Sequence, residues 1–268
     1  MITARKWRAA PLLRFSFAWH LAAVGVTLVR PSWWPWTLAA VLADHLLLTG
    51  LGLWPRSHAL GSNWTRLPAG AAARREICIT LDDGPDPEVT PQVLAILARH
   101  RARATFFCIG ERVERFPQLA SACIAQGHAV ENHSQHHRHQ FSLLGPGALR
   151  SELQRAQRSI ERACGLAPRF FRAPAGLRNP LLDPVLQQLG LQLASWTRRG
   201  FDTVNADPAA VLSRLTARLD AGDILLLHDG HAARTRTGRA VVLEVLPALL
   251  EVIEQRGLRT VTLREAAL

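Results

Sequence analysis

The chain has 268 residues, of which 48% are hydrophobic and 20% are charged, so it is neither disordered nor low in complexity. Its formal net charge of +11 is concentrated in residues 1–75, which hold nine basic side chains and one acidic one, against 23 and 20 in residues 76–268. A basic excess confined to one end and flanking apolar runs argues against nucleic-acid binding and indicates contact with a membrane.

Two apolar runs in this first part, 12–29 and 36–54, each approach the length of about 20 residues that a helix needs to cross a bilayer. The stretch between them holds two prolines, which interrupt a helix, and three tryptophans suited to a membrane interface: Pro31, Pro35, Trp33, Trp34 and Trp36. We therefore predict a membrane hairpin of two helices over residues 1–55. A hairpin lying in the interface and a signal anchor with the rest of the chain outside the cell are the alternatives.

Basic side chains lie on both outer flanks of the hairpin, and only Arg30 lies in its turn. The flanking set is Arg5, Lys6, Arg8, Arg14, Arg56, Arg66, Arg74 and Arg75. The positive-inside rule then places both ends, and residues 76–268 with them, on the cytoplasmic side of a bacterial inner membrane. Asp44 and His45 are costly at membrane depth, which favours their pairing with His20 across the hairpin. Residues 56–75 are predicted to be a linker.

From residue 76 onward, short apolar runs alternate with segments of helical period. The predicted strands are 77–81, 104–109, 128–132, 169–172, 191–196, 223–228 and 258–263. The predicted helices are 90–99, 117–126, 147–164, 180–189, 208–219 and 239–256. This alternation predicts an α/β fold with a parallel sheet buried on both faces. The segment is short for an eight-unit barrel of about 250 residues, so an open or seven-unit barrel fits better.

Polar side chains follow several of these strands, at the carboxyl ends where active sites of such folds form. Asp82 and Asp83 precede Gly-Pro, and turn chemistry explains only one of the two carboxylates. His133 and His137 are four residues apart, so one helical turn would put both imidazoles on one face. Two histidines and one carboxylate can hold a catalytic divalent metal with an open position. The alternatives are a capping or solvated aspartate pair and a solvated histidine-rich loop.

Four motifs, TLDDGP, HSxxH, RxPxG and LLLHDG, occur in this order between residues 76 and about 264. With them the sequence resembles the polysaccharide deacetylases of carbohydrate esterase family four, which carry the NodB homology domain. The resemblance implies a distorted seven-unit (β/α) barrel over residues 76–268. It also implies a divalent metal, usually zinc, and the removal of N-acetyl groups, or sometimes O-acetyl or formyl groups, from sugars.

The resemblance implies a role for each matching residue of this sequence. Three residues match the family's metal ligands: Asp83, His133 and His137. Asp82 matches the general base that takes a proton from water, and Arg172 matches the residue that orients and charge-balances it. His228 matches the general acid that protonates the leaving amine, with Asp202 as its carboxylate partner. Leu226 matches the wall of the pocket for the acetyl methyl group.

Two departures from the family pattern bear on the substrate. Ala175 stands where the family often has an aromatic residue, and Thr203 follows Asp202 where the family usually has tryptophan. The backbone N–H at Ala175 would still serve the oxyanion, but aromatic walls of the groove are lost. The chain also has no tyrosine, so we do not expect a long polymer groove with stacking platforms. Three further histidines, His136, His139 and His231, are interpreted as solvated loop residues.

These observations together predict a membrane-anchored, metal-dependent hydrolase that removes an N-acetyl or formyl group from an amino sugar, with a lipid-linked or short substrate favoured. The alternative is an extracytoplasmic N-deacetylase of chitooligosaccharide or peptidoglycan type. A catalytically silent carbohydrate-binding module is disfavoured, because candidates for base, acid and metal ligands are all present. The expected partners are an acylated amino sugar or glycolipid and a membrane, with no nucleic acid.

Overall fold

The computed structural model describes residues 7–268, so the predicted flanking residues Arg5 and Lys6 lie outside it. The strands are β1 (Glu76–Asp82), β2 (Ala104–Cys108), β3 (Ala129–Asn132), β4 (Phe170–Phe171), β5 (Gln192–Leu193), β6 (Arg198–Arg199), β7 (Ile224–His228) and β8 (Arg259–Thr260). The helices are α1 (Pro11–Val29), α2 (Trp34–Gly52), α3 (Ala69–Ala73), α4 (Thr90–Arg99), α5 (Gly110–Arg115), α6 (Pro117–Ala125), α7 (Pro146–Cys164), α8 (Leu182–Gln188), α9 (Pro208–Thr216), α10 (Val241–Gln255) and α11 (Leu263–Ala266).

The strands form a parallel sheet in the order β5-β4-β3-β2-β1-β7-β6, with β8 paired to the start of β1. The central strands β1 and β7 are buried along their whole length. Their outer side packs on helices, chiefly α4 and α10, through residues such as Ile79, Leu97 and Leu246. Apolar runs covered on both faces are what a parallel sheet requires. The predicted distorted (β/α) barrel of seven parallel strands is therefore confirmed.

Two strands differ from the prediction for identifiable reasons. Strand β6 was not predicted, because its residues are two arginines that pair with β7 through their backbones, and no apolar pattern marks them. The predicted strand over 258–263 is reduced to β8. Thr262 and Glu265 form a capping box that begins helix α11 instead.

Residues 56–75 pack against the barrel. Trp64 donates its N–H to the carbonyl of Leu193 at 2.9 Å, and its carbonyl accepts the N–H of Ser195 at 2.9 Å. Leu60 and Leu67 are buried. This segment therefore adds an extended stretch beside β5 on the edge of the sheet. The division of the chain into hairpin, linker and catalytic domain stays a prediction.

Helices α1 and α2 form a hairpin close to the predicted bounds of 12–29 and 36–54. Polar contacts join them: the Ser16 hydroxyl donates to Asp44 at 2.6 Å, and Nε2 of His20 lies 3.1 Å from Nε2 of His45. Large apolar side chains cover the outer faces and are exposed. Of the described helices, α1 alone is long and apolar enough to cross a membrane, and a signal sequence meets the same criterion.

The base of the hairpin contacts the loop that follows β4. The carbonyl of Gly52 accepts the N–H of Arg178 at 3.1 Å, and Nε1 of Trp7 donates to Asp183 at 2.7 Å. A Cβ on Gly176, whose φ is +75°, would lie 2.6 Å from the Trp196 ring and 2.7 Å from Pro55. A glycine is therefore required here, and the hairpin rests directly on the loop that carries Ala175.

Candidate active site

The three predicted metal ligands meet at the carboxyl ends of β1 and β3. Oδ1 of Asp83 lies 3.2 Å from Nε2 of His133 and 3.2 Å from Nε2 of His137. The potential ligand atoms of the three residues all lie within 4.8 Å of one another. The histidines are not on a helix, contrary to the one-turn expectation. They lie in a loop in which His137 has a φ of +49°.

This donor set fits a divalent metal. The Nδ1–H of His133 donates to the carbonyl of Arg172 at 2.8 Å, which leaves Nε2 directed at Asp83. Burial lowers the pKa of His137 to about 4, so its imidazole is neutral and able to ligate at pH 7. Oδ1 of Asp83 is buried without a hydrogen-bond partner among residues 7–268. Two imidazoles and an unsatisfied carboxylate oxygen are the kind of ligand set found in catalytic metal sites that keep open positions.

Asp82 is held by an arginine from the neighbouring part of the barrel. Nη1 of Arg172 donates to Oδ1 of Asp82 at 2.6 Å and to the Thr80 hydroxyl at 2.7 Å. The same guanidinium donates to the carbonyls of Ala194 and Ser195 at 3.1 and 2.6 Å. Arg172 is 1% exposed. Its position is therefore fixed on every side, and one oxygen of Asp82 is fixed with it.

His228 and Asp202 form a second buried pair across the cavity from the metal ligands. Asp202 is fully buried and accepts both the backbone N–H of His228 at 2.7 Å and its Nδ1–H at 2.9 Å. Burial opposes the charged form of His228, but Asp202 outweighs it and raises the pKa of the imidazole. With Nδ1 bound to Asp202, Nε2 is left free to face the cavity.

One cavity of about 220 Å³ is lined by Asp82, by His228 and by the three candidate metal ligands. Leu226 and Ala175, the two predicted substrate-binding residues, are in its wall. So are Trp196 and Arg199, which the sequence analysis did not assign. Trp196 lies at the end of the predicted fifth strand, and this position could have identified it as a site residue. Its ring supplies an aromatic wall in a site that was expected to have few aromatic residues.

Two of the three further histidines lie closer to the site than expected. Nδ1 of His231 is 3.3 Å from Oδ2 of Asp83, and its Nε2 is 2.9 Å from Arg112. His139 lines the cavity. His136 lies apart and pairs with Glu152 at 2.7 Å. His139 and His231 are exposed loop residues, as interpreted from the sequence, and in addition His139 lines the cavity and His231 contacts Asp83.

The loops around the cavity are conformationally strained. Among residues 7–268, nine non-glycine residues have a positive φ, and six of them lie in these loops: Asp83, Ser134, His137, Ala175, Phe201 and His231. Such conformations are unfavourable for residues with a Cβ, and they cluster where a site must hold its groups in a particular geometry. The concentration of strain here marks this end of the barrel as the functional one.

A parallel (β/α) barrel with an imidazole–carboxylate cluster and a buried His–Asp pair at its strand ends defines a hydrolase with a candidate divalent-metal site. The family model for polysaccharide deacetylase matches residues 69–194. The chain is 35% identical over 191 residues to a peptidoglycan-N-acetylglucosamine deacetylase of Bacillus cereus, an alignment that covers 70% of this chain and 86% of that protein. The chain belongs to the polysaccharide deacetylase family, and it is an amide hydrolase.

Two further proteins extend the comparison. A chitooligosaccharide deacetylase of Bradyrhizobium sp. (strain ANU 289) is 34% identical over 190 residues, covering 68% of this chain and 86% of that protein. The solved structure of a family 4 carbohydrate esterase from Streptomyces lividans, in complex with acetate, superposes with a TM-score of 0.63 at 31% identity. It covers 69% of this chain and 91% of that one. The resemblance stated from the motifs is thereby confirmed.

Proposed function

We propose that this chain removes the N-acetyl group from an N-acetylglucosamine unit of a chitooligosaccharide-type or peptidoglycan-type glycan. The observation that carries the proposal is the pairing of Asp82 with Arg172 on one side of the cavity and of His228 with Asp202 on the other. Relatives named for these two substrates support the glycan class. The main expectation from the sequence, a lipid-linked sugar, has less support than this alternative.

The residues divide the work as a base and an acid. Asp82, oriented by Arg172, takes the proton of the attacking water. His228 is charged with the help of Asp202 and gives its Nε2 proton to the departing amine. Leu226 packs against the acetyl methyl group, and the backbone at Ala175 faces the developing oxyanion.

Asp83, His133 and His137 would hold the divalent metal, which we propose to be zinc on the basis of its nitrogen and oxygen ligands. When bound, such a metal polarises the amide carbonyl and acidifies water. The chain's own contribution is to orient the His133 imidazole towards Asp83 and to keep the His137 imidazole neutral.

The test is acetate release from short chitooligosaccharides and from peptidoglycan fragments, with Asp82→Asn as the matched variant. Asp82→Asn should lower the rate by about 10²- to 10⁴-fold, since a positioned base contributes that much. The variant should keep its metal, measured by elemental analysis. A near-normal rate in this variant would refute the assignment of the base, and full activity after chelation would refute the metal.

We further propose that the hairpin α1–α2 anchors the enzyme in a membrane with the catalytic domain on the cytoplasmic side, where its substrate would be a short or precursor glycan and not the assembled cell wall. The exposed apolar surface of the hairpin, its polar contacts between Ser16 and Asp44, and the flanking basic residues support this proposal. A periplasm-dependent reporter fused after residue 268 tests the side. It should be inactive, and activity would reverse the proposed orientation.

A lipid-linked amino sugar is the second candidate substrate. It is favoured by one observation, the contact of the hairpin base at Gly52 and Pro55 with the loop of Gly176 and Arg178 at the cavity rim. An embedded hairpin would hold the cavity beside the bilayer surface. Faster release of the acyl group from a lipid-linked amino sugar than from a free oligosaccharide would favour this candidate, and the reverse ratio would exclude it.

A further inference from the structure

Arg199 lines the catalytic cavity without a part in the proposed chemistry. Within residues 7–268 its side chain makes no hydrogen bond or ion pair, and its Nε atom is buried without a partner. A guanidinium is charged at every physiological pH and carries five N–H donors. Buried donors left unpaired are unfavourable, and native proteins keep few of them. Arg199 is therefore a half-buried cation in the cavity wall whose guanidinium has no hydrogen-bonding partner among residues 7–268.

Comparison with Arg172 shows how unusual this is within the same site. Both guanidiniums lie against Trp196, with their central carbons 5.8 and 5.6 Å from its ring centroid. Arg172 is balanced internally, by the carboxylate of Asp82 and by hydroxyl and carbonyl acceptors. Arg199 has no counterpart of any of these within the described residues. Of the two guanidiniums that lie against Trp196, that of Arg172 is bound within the protein, and that of Arg199 is available to a ligand.

The surroundings of Arg199 hold it in a definite position. Its backbone pairs with Leu226 in the β6–β7 ladder, and its guanidinium lies 4.9 Å from the ring centroid of Phe201. Trp196 is 7% exposed and Phe201 is 45% exposed, so the guanidinium extends from the cavity wall towards the opening. Aromatic rings attract the cation without satisfying its N–H groups. The N–H groups of the guanidinium stay free, and their planar arrangement matches the paired oxygen atoms of a carboxylate or a phosphate.

We propose that Arg199 binds an anionic oxygen group, a carboxylate or a phosphate, carried by the substrate next to the sugar that is deacetylated. The inference rests on the proposed glycan deacetylation and adds to it a preference for charged glycans. A neutral oligosaccharide leaves the guanidinium unpaired in the cavity, whereas the anionic group of a charged oligosaccharide forms an ion pair with it. The residue therefore determines specificity and takes no part in proton transfer.

The test uses three matched probes of two to four N-acetylglucosamine units: the neutral oligomer, its aldonic acid with a terminal carboxylate, and its 1-phosphate. The protein is assayed as the metal-loaded full chain, with Arg199→Gln and the charge-conserving Arg199→Lys. Arg214→Gln is the control, because Arg214 is exposed and its guanidinium also lies against Phe201, at 5.6 Å, but outside the cavity.

Wild type should deacetylate at least one charged probe with a kcat/KM about 10- to 100-fold above that of the neutral oligomer, as expected for a charge-assisted hydrogen bond. Arg199→Gln should abolish this ratio through KM, Arg199→Lys should retain part of it, and Arg214→Gln should retain it fully. The preferred charged probe distinguishes a sugar acid from a sugar phosphate. Equal losses on all three probes, or no preference in wild type, would overturn the proposal.

Binding measurements separate this proposal from the proposed function. Dissociation constants for the three probes are measured by calorimetry in the Asp82→Asn protein, with and without Arg199→Gln. Tighter binding of a charged probe, lost with Arg199→Gln, supports the anion site even if wild type releases no acetate, a result that would sink only the deacetylation. Equal or undetectable binding of all three probes overturns the anion site, even if acetate is released from the neutral oligomer.

Discussion

Replacing Asp202 by Asn removes the charge opposite His228 and leaves one of the two oxygens that accept its hydrogen bonds. Asp202 is fully buried and accepts two hydrogen bonds from His228, so water does not screen the charge. A hydrogen bond to a charged group contributes about 1.5–3 kcal/mol, against about 0.5–1.5 for a neutral one. The substitution should therefore destabilise the protonated form of the His228 imidazole by the difference, about 1–2 kcal/mol.

The assay is the pH profile of kcat/KM for acetate release. His228 acts as an acid only while it is protonated, and Asp202 raises its pKa, so wild type should stay active until the pH passes that raised value. In Asp202→Asn the alkaline limb should move down by about one pH unit, since 1.36 kcal/mol corresponds to one unit. Asp207→Asn is the control, because Asp207 caps helix α9 outside the cavity and asparagine caps equally well.

Stability gives a second readout with a definite sign. The folded state raises the pKa of His228, so this pair stabilises the protein fully below the ordinary histidine pKa of about 6.5 and ceases to do so as the pH rises through the raised value. The difference in Tm between wild type and Asp202→Asn should therefore be largest at acid pH and shrink at alkaline pH. An alkaline limb that does not move in a folded, metal-loaded variant would refute the assignment of His228 as the acid.

Two other substitutions test the metal ligands and the loop beneath the hairpin. Asp83→Ala removes the carboxylate oxygen shared by the two imidazoles, so the bound metal should be lost; unchanged metal content by elemental analysis would refute the ligand set. Gly176→Ala places a Cβ against Trp196 and Pro55 and should lower stability by about 1–3 kcal/mol, together with kcat/KM. Gly165→Ala is the matched control, because its φ is +70° but open space surrounds it. Equal losses in thermal unfolding would mean that backbone strain alone is responsible.

The sequence predicted the elements whose burial requires a recognisable pattern of apolar residues. Strands β1, β2 and β7 are apolar runs because both their faces are covered, and helix α7 ends at Gly165 in the left-handed conformation that glycine favours. Strand β6 left no such pattern. Its two arginines are in the sheet because their backbones complete a ladder with β7, which a hydropathy pattern does not record.

The sequence predicted those residues of the candidate site whose side chains can themselves act as acid, base or metal ligand. Asp82, Asp83, His133, His137 and His228 do meet in one cavity. The supporting contacts were harder to foresee, since they depend on the path of distant segments. His231 contacts Asp83 from the loop after β7, and both residues adopt a positive φ, a conformation that the sequence does not indicate at non-glycine residues.

The loop after β4 connects the hairpin to the site, because it contacts both. Arg172 at the start of this loop fixes Asp82, and Ala175 lines the cavity. The backbone N–H of Arg178 donates to the carbonyl of Gly52 in the hairpin, and its guanidinium donates to the carbonyl of Ser57. Pro55 then fills the space beside Gly176. Loops without such contacts open locally at little cost, and a site on an open loop loses its geometry. The hairpin therefore stabilises the catalytic loop directly, whichever side of a membrane it faces.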